Sequence, residues 1–110
     1  MLYKFKSKVA SDVIMLEPNG RQILTLWGRT DEDSLRKGIL LAADMPAAIS
    51  AVEEAIAKEE AHRIQAALEA QERGEEASTP EGVSLRQRAT PLLDMARRCL
   101  AAGKDITWGV

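Results

Sequence analysis

At 110 residues the chain is sized for one domain with one modest core. Hydrophobic residues make up 45% and charged residues 29%, which excludes disorder throughout, and no apolar run approaches the ~18 residues of a membrane span. The lysines of residues 1–8 lead into no apolar signal segment, and a single cysteine, Cys99, excludes an internal disulfide framework, so these absences point to the cytoplasm.

Residues 2–7 alternate, with Tyr3 and Phe5 on one side and Lys4, Lys6 and Lys8 on the other, which predicts a half-buried strand with one wet face. After a turn at Ala10-Ser11, the apolar run Val13-Ile14-Met15-Leu16 predicts a second strand and hence a hairpin. Pro18-Asn19-Gly20 then reads as a break. Residues 21–27 fit two descriptions. Ile23, Leu24 and Trp27 suit one helix face, with Pro18 at its first turn and Gly28 just past its end; Ile23, Thr25 and Trp27 also suit a strand. The helix is favoured, and the strand stays open.

Residues 29–38 read as a flexible charged loop, followed by a small apolar patch, Ile39-Leu40-Leu41, fit for a brief strand or a plug. Asp44 reads as an N-cap, with Pro46 in the first turn of a long Ala/Glu/Leu-rich helix reaching about Arg73. Its stripe of Met45, Ile49, Val52 and Ile56 skips a turn at Glu59-Glu60 and is expected to resume at Ile64 and Leu68. Such a helix is roughly 43 Å long, more than a globule of this size requires. Its outer half must therefore overhang, pack on another subunit, or fray.

Residues 74–82 form a second flexible, acidic loop. Ser84 caps the last helix, whose stripe is Leu85, Ala89, Leu92, Leu93, Ala96, Cys99 and Leu100. Pro91 falls inside it, so a break at Thr90 is expected. Gly103 ends the helix, and residues 105–110 form a strand in which Ile106, Trp108 and Val110 close the core.

Charge is partitioned: residues 1–28, 29–82 and 83–110 carry +2, −7 and +3. Arg86 and Arg88 lie in a first helical turn, where cations oppose the helix dipole. A small anion or phosphometabolite held by Ser84, Arg86 and Arg88 explains them; a salt bridge to the acidic helix or plain solvation explains them more simply. Glu59 and His62 have the E-x-x-H spacing of four-helix di-iron sites, but one chain supplies one such pair, so a metal site requires a dimer. Cys99 follows an apolar stripe and has no histidine nearby in sequence, which suits a buried hydrophobe better than a nucleophile. No catalytic set and no cofactor fingerprint can be assembled. Lys4, Lys6 and Lys8 with Trp27 or Trp108 make a weak nucleic-acid candidate, opposed by the acidic middle and a pI near 5.4.

The chain resembles an uncharacterised bacterial family catalogued as domain of unknown function 1840. The resemblance rests on Leu2-Tyr3-Lys4-Phe5-Lys6-Ser7, Asp12-Val13-Ile14-Met15-Leu16, Gly38-Ile39 and Met45-Pro46-Ala47-Ala48-Ile49. It is strongest at Ser84-Leu85-Arg86-Gln87-Arg88-Ala89, Pro91-Leu92-Leu93-Asp94-Met95 and Trp108-Gly109-Val110, and it spans nearly the whole chain. It implies small, stand-alone cytosolic proteins and carries no catalytic residues over.

The fold expected is α+β, one domain over residues 1–110. A small antiparallel sheet of the N-terminal strands and the C-terminal strand is covered on one face by two main helices. The expected core is Tyr3, Phe5, Val13, Met15, Ile49, Val52, Ile56, Leu85, Leu92, Leu93, Ala96, Leu100, Ile106 and Trp108. The leading functional reading is a non-enzymatic interaction or regulatory module that pairs as a homodimer through Ile64 and Leu68. The alternatives are the anion site at Ser84, Arg86 and Arg88 and a dimeric metal site.

Overall fold

The computed structural model describes residues 2–74 and 84–109. Strands β1 (Leu2–Lys6) and β2 (Val13–Leu16) form the expected antiparallel hairpin, with Leu2 opposite Leu16 and Phe5 opposite Val13. Strand β3 (Gly38–Leu40) is the brief apolar patch, and β4 (Ile106–Trp108) closes the chain. The sheet order is β2-β1-β4-β3, all pairs antiparallel, so the last strand occupies an inner position between β1 and β3. Strand alternation gives the sheet two faces. Tyr3, Phe5, Met15, Leu40, Ile106 and Trp108 are buried on one; Leu2, Lys4, Ile14, Leu16 and Ile39 are exposed on the other. Residues 105–110 were expected as strand; Val110 lies outside the described residues.

The ambiguous segment is helical. Helix α1 (Glu17–Leu26) leaves β2 without a loop, and Pro18 sits in its first turn, where a missing N–H costs nothing. The expected break at Pro18-Asn19-Gly20 is therefore overturned. Gly20 belongs to the helix and is there because the helix backbone crosses Tyr3: a Cβ at this position would stand 2.6 Å from the Tyr3 ring. The reading of residues 29–38 as loop is also corrected. Helix α2 (Glu32–Arg36) starts at Asp31, whose carboxylate accepts from the Ser34 N–H at 3.0 Å, and it buries Leu35. The expected loop at 74–82 lies, apart from Gly74, outside the described residues.

A 3₁₀ turn (Ala42–Asp44) leads into α3 (Met45–Glu72), a helix of 28 residues. Asp44 makes no side-chain capping bond, contrary to expectation. The 3₁₀ turn delivers it already in helical backbone conformation, whereas a capping side chain requires extended backbone. Helix α4 (Leu85–Ala102) returns antiparallel to α3, with Arg86 beside Glu60 and Arg97 beside Glu53. It continues through Pro91, and no break occurs at Thr90. Pro91 lies on the exposed side of α4, so the Gln87 carbonyl that its missing N–H leaves over is near solvent and the helix continues.

α1, α3 and α4 cover the inner sheet face, so the two main helices have a third companion. The core is one cluster that includes every expected residue except two. Val13 is half-buried against it, and Leu100 is 44% exposed because the inward stripe of α4 runs through Ala96 and Cys99 instead. Phe5, Trp27 and Trp108 form an aromatic knot with ring centroids 6.0 to 6.2 Å apart.

Candidate functional site

The serine cap at the start of α4 is complete. Ser84 Oγ accepts from the Gln87 N–H at 3.2 Å, and the Gln87 side chain accepts from the Ser84 N–H at 3.1 Å. One of the donors that this box leaves over, the Leu85 N–H, donates to Glu59 Oε1 at 3.1 Å. Arg86 makes a two-pronged pair with Glu60, Nε–Oε1 at 2.6 Å and Nη2–Oε2 at 3.2 Å. The Arg86 guanidinium holds the Glu60 carboxyl below the usual carboxylate range. Arg88 turns the other way and donates to Gln22 Oε1 on α1 at 3.0 Å, while its Nε is buried without a partner. The three residues expected to converge on an anion thus do not converge. Ser84 caps, Arg86 reaches α3 and Arg88 reaches α1.

The negative charge that Arg86 and the start of α4 attract is supplied by the chain itself: Glu60 pairs with Arg86 and Glu59 accepts from the Leu85 N–H, while Arg88 rests on the neutral Gln22. Sequence reading placed these carboxylates at the lapse in the α3 stripe. That lapse is the signal that α4 begins there, since the two acids replace apolar contact with charge at the helix crossing.

Glu59 also accepts from Arg63 at 3.0 Å, so it is committed to α4 and to its own helix. His62 is exposed on α3. Among the described residues, no group of three or more His, Cys, Asp or Glu side chains could hold a metal ion. Cys99 is fully buried, with its thiol 4.0 Å from the Asp105 carbonyl. The crevice beneath α3 and α4, lined by Trp27, Ala48, Val52, Ala89 and Leu92 among others, has no room for a water molecule.

The overhanging arm is real. Between Ile56 and Ala70, α3 has no buried residue, and past Arg63 it runs nine residues, roughly 14 Å, further. The arm draws the molecule out to 51 × 29 × 23 Å, with a radius of gyration of 16.0 Å against ~13 Å for a compact chain of this size. Ile64 and Leu68 do not continue the core stripe, contrary to expectation. At ~100° per residue they lie roughly 80° and 120° round from Ile56. The inward line passes through Arg63, half-buried, and Ala70, buried. Ile64 and Leu68 are 64% and 51% exposed. With the exposed Ala57 and Ala61 they make a separate stripe at 4-3-4 spacing, the repeat of a helix-pairing seam.

The sequence model of a family described as Domain of unknown function (DUF1840) matches residues 1–108. The chain belongs to the DUF1840 family. No curated protein matches it, and no solved structure matches it. Membership therefore ties this fold to the DUF1840 family without assigning a reaction, and the residues above carry the functional argument. No helix among the described residues of this DUF1840 chain is long and apolar enough to cross a membrane.

Proposed function

We propose that this chain is a non-enzymatic interaction module that pairs with a second copy of itself through the outer half of α3. The observation carrying the reading is the stripe of Ala57, Ala61, Ile64 and Leu68, exposed on an arm that the chain's own core does not use. A second copy fits it because the stripe is apolar and can pair with itself. An antiparallel two-fold at Ala66 sets Ile64 of one arm beside Leu68 of the other. Such a contact is self-complementary and closes on itself. In this reading Ser84, Arg86 and Arg88 hold α4 in place so that the arm projects. The single cysteine, Cys99, supports the cytoplasm as the setting.

Sedimentation equilibrium at tens of micromolar tests the proposal. The native chain is expected to show dimers, and Ile64→Glu with Leu68→Glu is expected to give monomers that remain folded. A native chain that sediments as a monomer across this range overturns it.

A further inference from the structure

A groove of about 520 Å³ opens on the outer side of the sheet, at the far end of α4 from Ser84. Lys6, Ser7 and Lys8 from the end of β1, Thr107 of β4, Ile39 of β3 and Lys104 after α4 line it. The strand register explains the convergence. Lys6 is opposite Thr107 and Thr107 is opposite Ile39, so the three form one outward row across three strands. The α4 turn that ends at Gly103 then brings Lys104 to the same place, its N–H held by the Cys99 carbonyl at 2.9 Å.

We infer that this groove is a binding site for phosphate-bearing anions. Among the described residues, the ammonium groups of Lys6, Lys8 and Lys104 have neither an ion pair nor a hydrogen bond; Lys4, Lys37, Lys58 and Arg98 are unpaired as well, but only Lys6, Lys8 and Lys104 line one groove together. Among the described residues Asp105 is the one carboxylate in the lining, and it accepts from the Ala42 N–H at 2.7 Å, tying the groove to the 3₁₀ turn. Three lysines and one aspartate leave a lining of +2, the complement of a dianion. The negative end of the α4 dipole accounts for Lys104 alone; Lys6 and Lys8 come from a strand and its exit.

Lysine is a mobile point charge suited to phosphate, and the Ser7 and Thr107 hydroxyls add donors. Ile39 offers apolar contact to an organic moiety, and the volume lies in the ~300–1,000 Å³ range of small-molecule sites. No lining residue is aromatic, so the organic part is not a stacked base. Beside the groove, the exposed Leu2, Ile14 and Leu16 extend the same sheet face. The phosphate can therefore belong to a soluble ester or to a lipid headgroup. The inference does not depend on self-association.

Inorganic pyrophosphate is the probe for the first source and phosphatidylglycerol vesicles, against phosphatidylcholine vesicles, for the second. Pyrophosphate at millimolar concentration is expected to raise the melting temperature by several degrees beyond sodium chloride of equal ionic strength. It is also expected to move the amide resonances of Lys6, Ser7, Lys8, Lys104 and Thr107. Lys6→Gln with Lys104→Gln is expected to weaken binding at least tenfold, and Arg86→Gln to leave it unchanged. Retention on phosphatidylglycerol vesicles that the double variant loses assigns the phosphate to a headgroup; pyrophosphate binding without retention assigns a soluble ligand. Neither form of binding, or binding that Arg86→Gln abolishes and the double lysine variant keeps, overturns the inference.

Discussion

Trp108 ties the sheet to α2 and to the end of α1. It is fully buried, its ring lies 6.2 Å from Phe5 and 6.1 Å from Trp27, and its indole N–H donates to the Ser34 carbonyl at 2.9 Å. Arg29 stacks its guanidinium 5.6 Å from the same ring. Trp108→Ala removes this volume from the middle of the sheet and leaves the Ser34 carbonyl without its donor, so a loss of about 3–5 kcal/mol is expected. Urea unfolding followed by far-ultraviolet circular dichroism measures it, and a loss under 1 kcal/mol contradicts the packing described. The inward direction of Trp108 was legible in the sequence, because Ile106 and Trp108 alternate with Thr107. The role of Gly38 was not. A Cβ there would stand 2.5 Å from the Trp108 ring, and no local pattern encodes a constraint set by a residue seventy positions away.

At the scale of elements, what could be read followed from what is local. The hairpin, the two long helices and the final strand announce themselves by periodicity and by capping residues within a few positions. Helix α2 was missed because five residues, three of them charged, are too few for a periodic signal; only the Asp31–Ser34 cap marked it. Gly20 and Pro91 were taken as breakers, yet one makes way for Tyr3 and the other faces solvent within an unbroken helix. The Ser84 cap was read correctly, and its value can be measured. Ser84→Ala removes the acceptor of the Gln87 N–H and is expected to cost about 1 kcal/mol, with Ser84→Asp restoring most of it. Equilibrium unfolding of the two variants checks this. Of the explanations the sequence offered for Arg86, the salt bridge to the acidic helix is the one formed, and which carboxylates make it was not legible because they lie 26 positions upstream of Leu85 and Arg86.

For the whole molecule, the partition of charge between an acidic middle and basic ends resolves into tethers that hold helices to one another. Arg86 of α4 meets Glu60 of α3; Arg21 of α1 meets Glu32 of α2 at 3.3 Å; Arg97 meets Glu53 at 3.6 Å. Each tether is exposed and individually weak. Three carboxyls nonetheless titrate below their usual range: Glu32 and Glu60 because each is hydrogen-bonded to an arginine, and Asp31 because it accepts from Ser34 at the α2 cap. A carboxyl held lower in the folded chain than in the unfolded one contributes stability that is complete above the unfolded value, about pH 4. That contribution disappears as pH falls through the folded value. The chain is therefore expected to show constant stability from these groups between pH 5 and 8 and a decline below about pH 4. Glu60→Gln should flatten part of that decline, because the variant has no proton to take up at this site. Added salt should shrink the Glu60 and Glu32 contributions, since both pairs face solvent. Denaturation midpoints at pH 6 and pH 3, with and without 0.5 M sodium chloride, distinguish this from general acid unfolding. A Glu60→Gln curve parallel to that of the native chain at every pH would mean that the acidic middle serves only solubility and does not clamp α3 to α4.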